Sequence, residues 1–356
     1  MSFLDQTIQK IRPQDSGIRL LAKNRLDQLT MPHWALGRLM DLAMDLAGIY
    51  RTLKPRIDLR AIVTMAADHG VALAGVSKYP REVTCQMVRN IVNGGAGVNA
   101  LSRVSNTHVV VVDVGVAGDL SDLAREKKII SRRIGSGTNN MLEGPAMTRE
   151  QAVESIEAGI EVVLDLGERF DIFGTGEMGI GNTTPSSAIT SVLVGIPVRE
   201  VTGRGTGIDD GQFNHKVSVI EKALESNKPD VSDPIDVLSK VGGFEIGAIA
   251  GLILGAASIG KPVVVDGFIS SAGALLAQAI CPSSADYMIA AHKSVEQGHQ
   301  AALGKLGKRP LLDLEMRLGE GTGAALAMSV IEASIRILTE VATFDEAAVS
   351  KNNEAH

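Results

Sequence analysis

The sequence predicts an α/β protein: a doubly wound parallel sheet of about six strands, with a small helical domain built from both chain ends. Three observations carry this. Short β-branched runs end in small or acidic residues, stretches with helical periodicity follow them, and both chain ends show helical patterning with little strand character.

Taken in order, Phe3 to Leu46 reads as helical, and Ala61 to Met65 is the first strand. Val83 to Leu101 has helical spacing, and His108 to Val114 is an apolar run closing on Asp113. A helix over Arg149 to Glu168 precedes a strand at Phe170 to Gly174. The next helix, Thr183 to Val194, opens with Thr183 as its cap and Pro185 in its first turn. Val198 to Thr202 is β-branched and reads as a strand, followed by helices at Gly211 to Ser226 and Glu245 to Ser258. Pro262 to Asp266 and Tyr287 to Ala291 complete the strands, around a helix at Ile269 to Ile280. From Val295 to Ala347 the pattern is helical again, and Ser350 to His356 reads as a disordered tail. The expected division is residues 31–300 as the large α/β domain, with 1–30 and 301–356 forming the small helical one.

Composition narrows the function. The 356 residues carry a formal charge of −6, with one Trp, three Tyr and seven Phe, which leaves neither a basic face nor stacking aromatics for nucleic acid. The apolar stretch Ile246 to Gly260 is too short and too rich in Gly and Ala to span a bilayer, so no membrane association is expected. The segment Met1 to Asp15 has no apolar run of signal-peptide length, and Cys85 and Cys281 stand far apart; a cytoplasmic protein is expected.

Open α/β sheets bind ligands beyond the carboxyl ends of their strands, and this chain places glycines and polar residues there. Gly174 to Pro185 is the densest such segment. Its four glycines permit close approach to a ligand, and the helix start after them offers free N–H groups to an anion. Gly174-Thr175-Gly176-Glu177-Met178-Gly179 also satisfies GxGxxG, with Glu200 near the offset of a ribose acid. A carboxylate at Glu177 would repel a pyrophosphate, so a monophosphate or ribose site is the preferred reading; an ordinary tight turn is the plainer one. In Gly319-Glu320-Gly321-Thr322-Gly323, a carboxylate between glycines is either a general base or a cap on the helix it precedes. Lys216 is a candidate phosphate partner or a solvated helix lysine. Asp68, His69 and Asp113 lack metal-ligand spacing and read as loop-holding groups, His292 and His299 read as exposed, and Ser186 and Ser187 lack a nucleophile-elbow setting. No metal is expected.

The strings Gly176 to Pro185, Asp236 to Phe244, Val265 to Phe268 and Met316 to Ala325 resemble, in order, the nicotinate-nucleotide:dimethylbenzimidazole phosphoribosyltransferase family. Further echoes at Ala67 to Val71, Asp113 to Gly115 and Gly144 to Met147 extend the resemblance over most of the chain. It implies a Rossmann-like sheet with a helical domain from both chain ends, in a dimer. It implies transfer of phosphoribose from nicotinate mononucleotide, a substrate rather than a cofactor, to a cobamide lower-ligand base. Carried over by motif, Glu320 is the general base, and Glu177, Gly179, Gly181, Asn182, Thr183, Thr184, Lys216, Asp266 and Gly267 hold the nucleotide.

The chain departs from the family pattern on the acceptor side. Met31 to Gly37 replaces a Lys-Pro-Pro-Gly-Ser-Leu-Gly string, Tyr79 and Met87 replace a Ser and a Gln, and Ala291 replaces a Ser. With Leu318, Tyr79 and Met87 form an expected acceptor pocket poorer in polar groups. It suits an acceptor with fewer ring nitrogens than dimethylbenzimidazole, so the chain is expected to resemble the phenol- and p-cresol-activating branch of the family, which implies a heterodimer of related subunits. Dimethylbenzimidazole stays the alternative acceptor, and neutral drift is the plainer reading of Tyr79 and Met87. Two other readings stay open: an NAD-dependent oxidoreductase, resting on GxGxxG and Glu200, and a non-catalytic partner subunit.

Overall fold

The computed structural model describes residues 2–205, 207 and 209–350. The tail expected to be disordered falls, from residue 351 onward, outside the described residues. Six parallel strands form one sheet: β1 (Arg60–Ala67), β2 (His108–Gly115), β3 (Ile130–Ser131), β4 (Ile172–Met178), β5 (Val263–Val265) and β6 (Met288–Ala290), in the order β3-β2-β1-β4-β5-β6. Every residue of β1 is buried, as expected of a strand covered on both faces and paired on both edges. The chain winds outward from β1 to β3, then returns to place β4 on the other edge of β1. The crevice where the winding reverses is where such sheets hold ligands.

The structure corrects three expectations. Val198 to Thr202 is not a strand: Val198–Val201 is a short helix that buries Val198 and Val201, three apart, and leaves Arg199 and Glu200 exposed. Pro197 precedes it, and the Thr202 hydroxyl donates back to the Val198 carbonyl at 2.7 Å. The sixth strand is instead β3, two residues at the sheet edge, too short for any periodicity to reveal. The helix expected over Val83 to Leu101 is two, Val83–Val92 and Gly97–Val104, broken where Gly94 takes a φ of +80°. That break creates an additional helix N-terminus inside the fold.

One face of the sheet is covered by the Phe244–Ser258 helix, which is buried almost throughout and packs closely on Arg149–Leu166. Gly159 and Gly251 let the two backbones touch: a Cβ on Gly159 would overlap the Ala248 carbonyl, and one on Gly251 the Ile156 carbonyl. This buried helix contains most of the apolar stretch weighed above for membrane insertion. Among the described residues one helix, Thr322–Glu340, is long and apolar enough to cross a membrane. It lies against β1, β4 and β5, with Ala324, Ala325, Met328 and Ile331 inaccessible. Ala22, Leu26, Met40, Ala43 and Ala47 join Leu338 in a separate small core, and Leu29 bridges Thr343, so the two chain ends meet. The first helix, Phe3–Ile8, lies instead on Arg149–Leu166 and Phe244–Ser258.

Because neither helix backbone at Gly159 can yield without opening the layer, Gly159→Ala is expected to cost about 3 kcal/mol of stability, read as a lower urea midpoint.

Candidate active site

A cleft of about 770 Å³ opens beyond the carboxyl ends of the strands. It is lined by Glu177, Gly179, Gly181, Asn182, Thr183, Lys216, Asp266, Gly267, Tyr79, Met87, Leu318 and Glu320, so twelve of the thirteen sequence candidates face one space. Thr184 does not line it: the residue is fully buried within its helix.

Glu320 sits at the crest of a turn whose residues Gly319, Glu320 and Gly321 have φ of +83°, +64° and +100°. The turn lies directly on β4. A Cβ on Gly176 would overlap the Glu320 carbonyl, and that carbonyl accepts a hydrogen bond from Thr64 Oγ1 at 3.1 Å. Gly174 is likewise filled by Ile62 and by Ala324 of the last helix. Both glycines therefore belong to a strand and admit packing neighbours; they do not form the phosphate turn of a dinucleotide fingerprint. Glu200 is exposed on the short Val198–Val201 helix, and the oxidoreductase reading loses both its supports.

Glu320 does not cap the helix it precedes. Asp266 does, its Oδ1 accepting the Ala324 N–H at 2.8 Å. The Glu320 carboxylate turns to the helix N-terminus created by the chain break, where Oε2 accepts the Val98 N–H at 3.0 Å. Burial raises its pKa, opposed by the N–H groups of Val98 and Gly97. A carboxylate so held can take a proton without being strongly committed to its charged form.

Glu177 ties the nucleotide loop to this turn. Its Oε2 accepts from Asn182 Nδ2, and its Oε1 accepts the Glu320 N–H at 3.3 Å. Burial pushes its pKa up to about 8, helped by nearby Asp266 and Glu245 and opposed by those two donors. Asp266 is also raised by burial, with His292 Nε2 at 4.0 Å and backbone N–H groups pulling the other way. Beneath Gly179, His69 Nε2 and Glu245 Oε1 form a buried pair at 2.7 Å, and any side chain on Gly179 would press on the His69 ring.

Lys216 is fully buried, with Nζ donating to Thr183 Oγ1 at 2.7 Å. Burial lowers its pKa to about 8, and Glu296 opposes the shift. Thr183 is thus the first helical residue and the lysine's partner, while Asn182 holds the cap position without a side-chain cap bond. Sequence reasoning missed Arg317, Ser294 and Glu296, which also line the cleft. Arg317 stood inside a matched string, whereas Glu296 sits in an ordinary charged stretch and gave no signal. His292 and His299, expected at the surface, are buried with rings 6.0 Å apart. His299 Nδ1 accepts the Ser294 N–H at 2.9 Å, and burial lowers its pKa to about 3, so it is neutral.

Beside Glu320, an apolar wall joins Val76, Val83 and Met87, with Tyr79 and Leu318 half exposed at the mouth. Ala291 is buried in the core and does not line the cleft. The remaining candidates hold structure. Asp113 Oδ1 accepts from the Gly115 and Val116 N–H groups, and Asp68 Oδ2 from Ala117 at 2.7 Å. Ser186 and Ser187 donate to carbonyls of their own helix. Among the described residues, no three His, Cys, Asp or Glu side chains are grouped to hold a metal ion.

A sheet in this strand order, with a buried lysine reaching the start of the Thr183–Val194 helix and a carboxylate on a glycine turn at the carboxyl ends of its strands, places the chain in the doubly wound α/β class. The comparison with known proteins is more specific. The phosphoribosyltransferase family profile matches residues 11–349. The nicotinate-nucleotide–dimethylbenzimidazole phosphoribosyltransferase of Syntrophotalea carbinolica is 64% identical over 99% of both chains. Its counterpart in Desulfotalea psychrophila is 58% identical over 98% of this chain and 99% of that one. The crystal structure of the enzyme of that name from Thermus thermophilus superposes with a TM-score of 0.89 at 43% identity, covering 95% of this chain and 100% of that one. The chain belongs to the phosphoribosyltransferase family.

The Glu177 carboxyl titrates higher in the folded chain than unfolded, so its contribution to stability is complete below its unfolded pKa and is lost as pH rises toward about 8. Relative to Glu177→Gln, the wild type is expected to lose stability across that window at up to about 1.4 kcal/mol per pH unit. Urea melts at several pH values measure this difference.

Proposed function

We propose that this chain transfers the phosphoribosyl group of nicotinate mononucleotide to a lower-ligand base of cobamides, with inversion to an α-glycosidic linkage and release of nicotinate. The names carried by its relatives support dimethylbenzimidazole as the acceptor. The observation that carries the reading is that one cleft contains both the Lys216–Thr183 anion pocket and Glu320 beside an apolar wall.

In this reading Lys216 and the start of the Thr183–Val194 helix anchor the phosphate, which fixes the ribose. The nicotinate leaves as an already activated pyridinium. The base lies against Met87, Val83 and Leu318 and attacks the anomeric carbon from the opposite face, while Glu320 takes its acidic proton. Dimethylbenzimidazole attacks through one nitrogen and yields its proton from the other. A phenol, with a reference pKa of about 10, uses one oxygen for both and must sit closer to Glu320. The apolar mouth, with Tyr79 and Leu318 exposed, is surface that a second identical or related chain would cover. The position of Glu320 favours a catalytic chain over a supporting subunit.

Nicotinate release should be measured with nicotinate mononucleotide and either dimethylbenzimidazole or p-cresol. Release with the former is expected; release with p-cresol alone reassigns the acceptor to the phenols, and release with neither, even with a related subunit added, overturns the proposal. Glu320→Gln is expected to lower kcat by about 10²–10⁴-fold with little change in nucleotide KM.

A further inference from the structure

Lys216 is in an unusual position for a phosphate ligand. It is fully enclosed, and among the described residues its hydrogen-bond partner is a neutral hydroxyl, that of Thr183. An ammonium placed this way tends to shed its proton, and an amine would not attract phosphate. Something must supply the missing countercharge before the substrate arrives.

Glu296 is placed to do so. It lies between β6 and the Gln297–Leu306 helix, is 7% exposed, and lines the same cleft. Its Oε2 has no hydrogen-bond partner among the described residues and abuts Gly203, where any Cβ would overlap it. Gly205 joins the two charges. Burial raises the Glu296 carboxyl, opposed first by Lys216 and then by Arg317 and the Gly205 N–H, while the Gly205 carbonyl accepts from Arg317 Nη1 at 3.2 Å. A Cβ on the same glycine would lie 3.7 Å from Lys216 Nζ and 3.3 Å from Thr183 Oγ1.

We propose that Glu296 is a positioning residue whose buried charge keeps Lys216 protonated in the empty cleft, so that the phosphate meets an ammonium. The inference rests on the assignment of Lys216 to phosphate binding made above. The other charges facing the lysine do not replace Glu296. Arg204 and Arg317 line the cleft and, as cations, disfavour a third positive charge. Burial pushes Glu177, Asp266 and Glu296 alike toward the neutral acid, but of the three only Glu296 is held down by Lys216; His299 is neutral, and His292 faces Asp266. Asp209 and Asp210, at the start of the lysine's own helix, are exposed, and Asp210 pairs with Arg204. Once bound, the phosphate itself becomes the countercharge to Lys216, and Glu296 has finished its task.

The test is the affinity for inorganic phosphate by calorimetry between about pH 6 and 9.5, beside kcat/KM for nicotinate mononucleotide, in wild type, Glu296→Gln, Lys216→Arg and the double variant. At the acid end Glu296→Gln should bind phosphate at least as tightly as wild type, because a like charge is gone. Its alkaline loss of affinity should begin about one pH unit lower, leaving it about fivefold weaker than wild type near pH 8, each relative to its own acid-end affinity, and approaching about tenfold above pH 9. On the Lys216→Arg background, whose guanidinium stays charged, the same substitution should not move the alkaline limb. Weakening by an equal factor at every pH would make Glu296 a structural clasp and overturn the inference, as would an unmoved limb. Phosphate binding needs no turnover: an intact shift without nicotinate release defeats the transferase reading alone.

Discussion

The seat of the Glu320 turn on β4 is the contact on which the rest of the site depends. Gly176 has no side chain, so the Glu320 carbonyl can rest on the strand and take the Thr64 hydroxyl. From that seat the backbone N–H of Glu320 reaches Glu177, its carboxylate reaches the Gly97–Val104 helix, and the last helix starts where Asp266 can cap it. One close approach of backbone to backbone therefore sets the position of the proposed base relative to the loop that holds the nucleotide. A methyl group at Gly176 would lift the turn and disturb all of these bonds together.

The cleft is also a concentration of ionisable groups withdrawn from water. Glu177, Glu245, Asp266 and Glu296 are buried around it, as are Lys216 and His69. In a stability-optimised core most of these would be apolar, since enclosing a charge is costly even when it is paired. Their partners are mostly backbone N–H groups, hydroxyls and amides, which orient a charge without cancelling it. Such an arrangement is suited to groups that must exchange protons or countercharges when a substrate enters, at the expense of stability as the pH changes.

How much of this was legible in the sequence follows from what each feature depends on. Five of the six strands overlap short apolar runs, several of them β-branched, and helices such as Thr183–Val194 are long enough to leave a periodic signature, so both could be read. β3 leaves none, and Val198–Val201 misleads because buried valines three apart suit a helix as well as their β-branching suits a strand. The glycine-rich strings located the cleft, although Gly174 and Gly176 serve to admit a neighbouring element rather than a phosphate. What could not be read was anything depending on which distant groups meet. The exchange of capping roles between Glu320 and Asp266 is one case, and the approach of Glu296 to Gly203 and Gly205 is another.

The cleft draws on residues scattered from Thr64 to Glu320, with the proposed base on a segment made after all six strands. During synthesis β1, β4 and β5 exist before the Thr322–Glu340 helix that covers them. Until then Ile62, Gly174 and Gly176 present a bare apolar strip. Long-range closures of this kind are slow to form and leave such surfaces open to misassociation. The glycines that give the base its seat thus also make the nascent chain wait for its final helix before it has a finished interior.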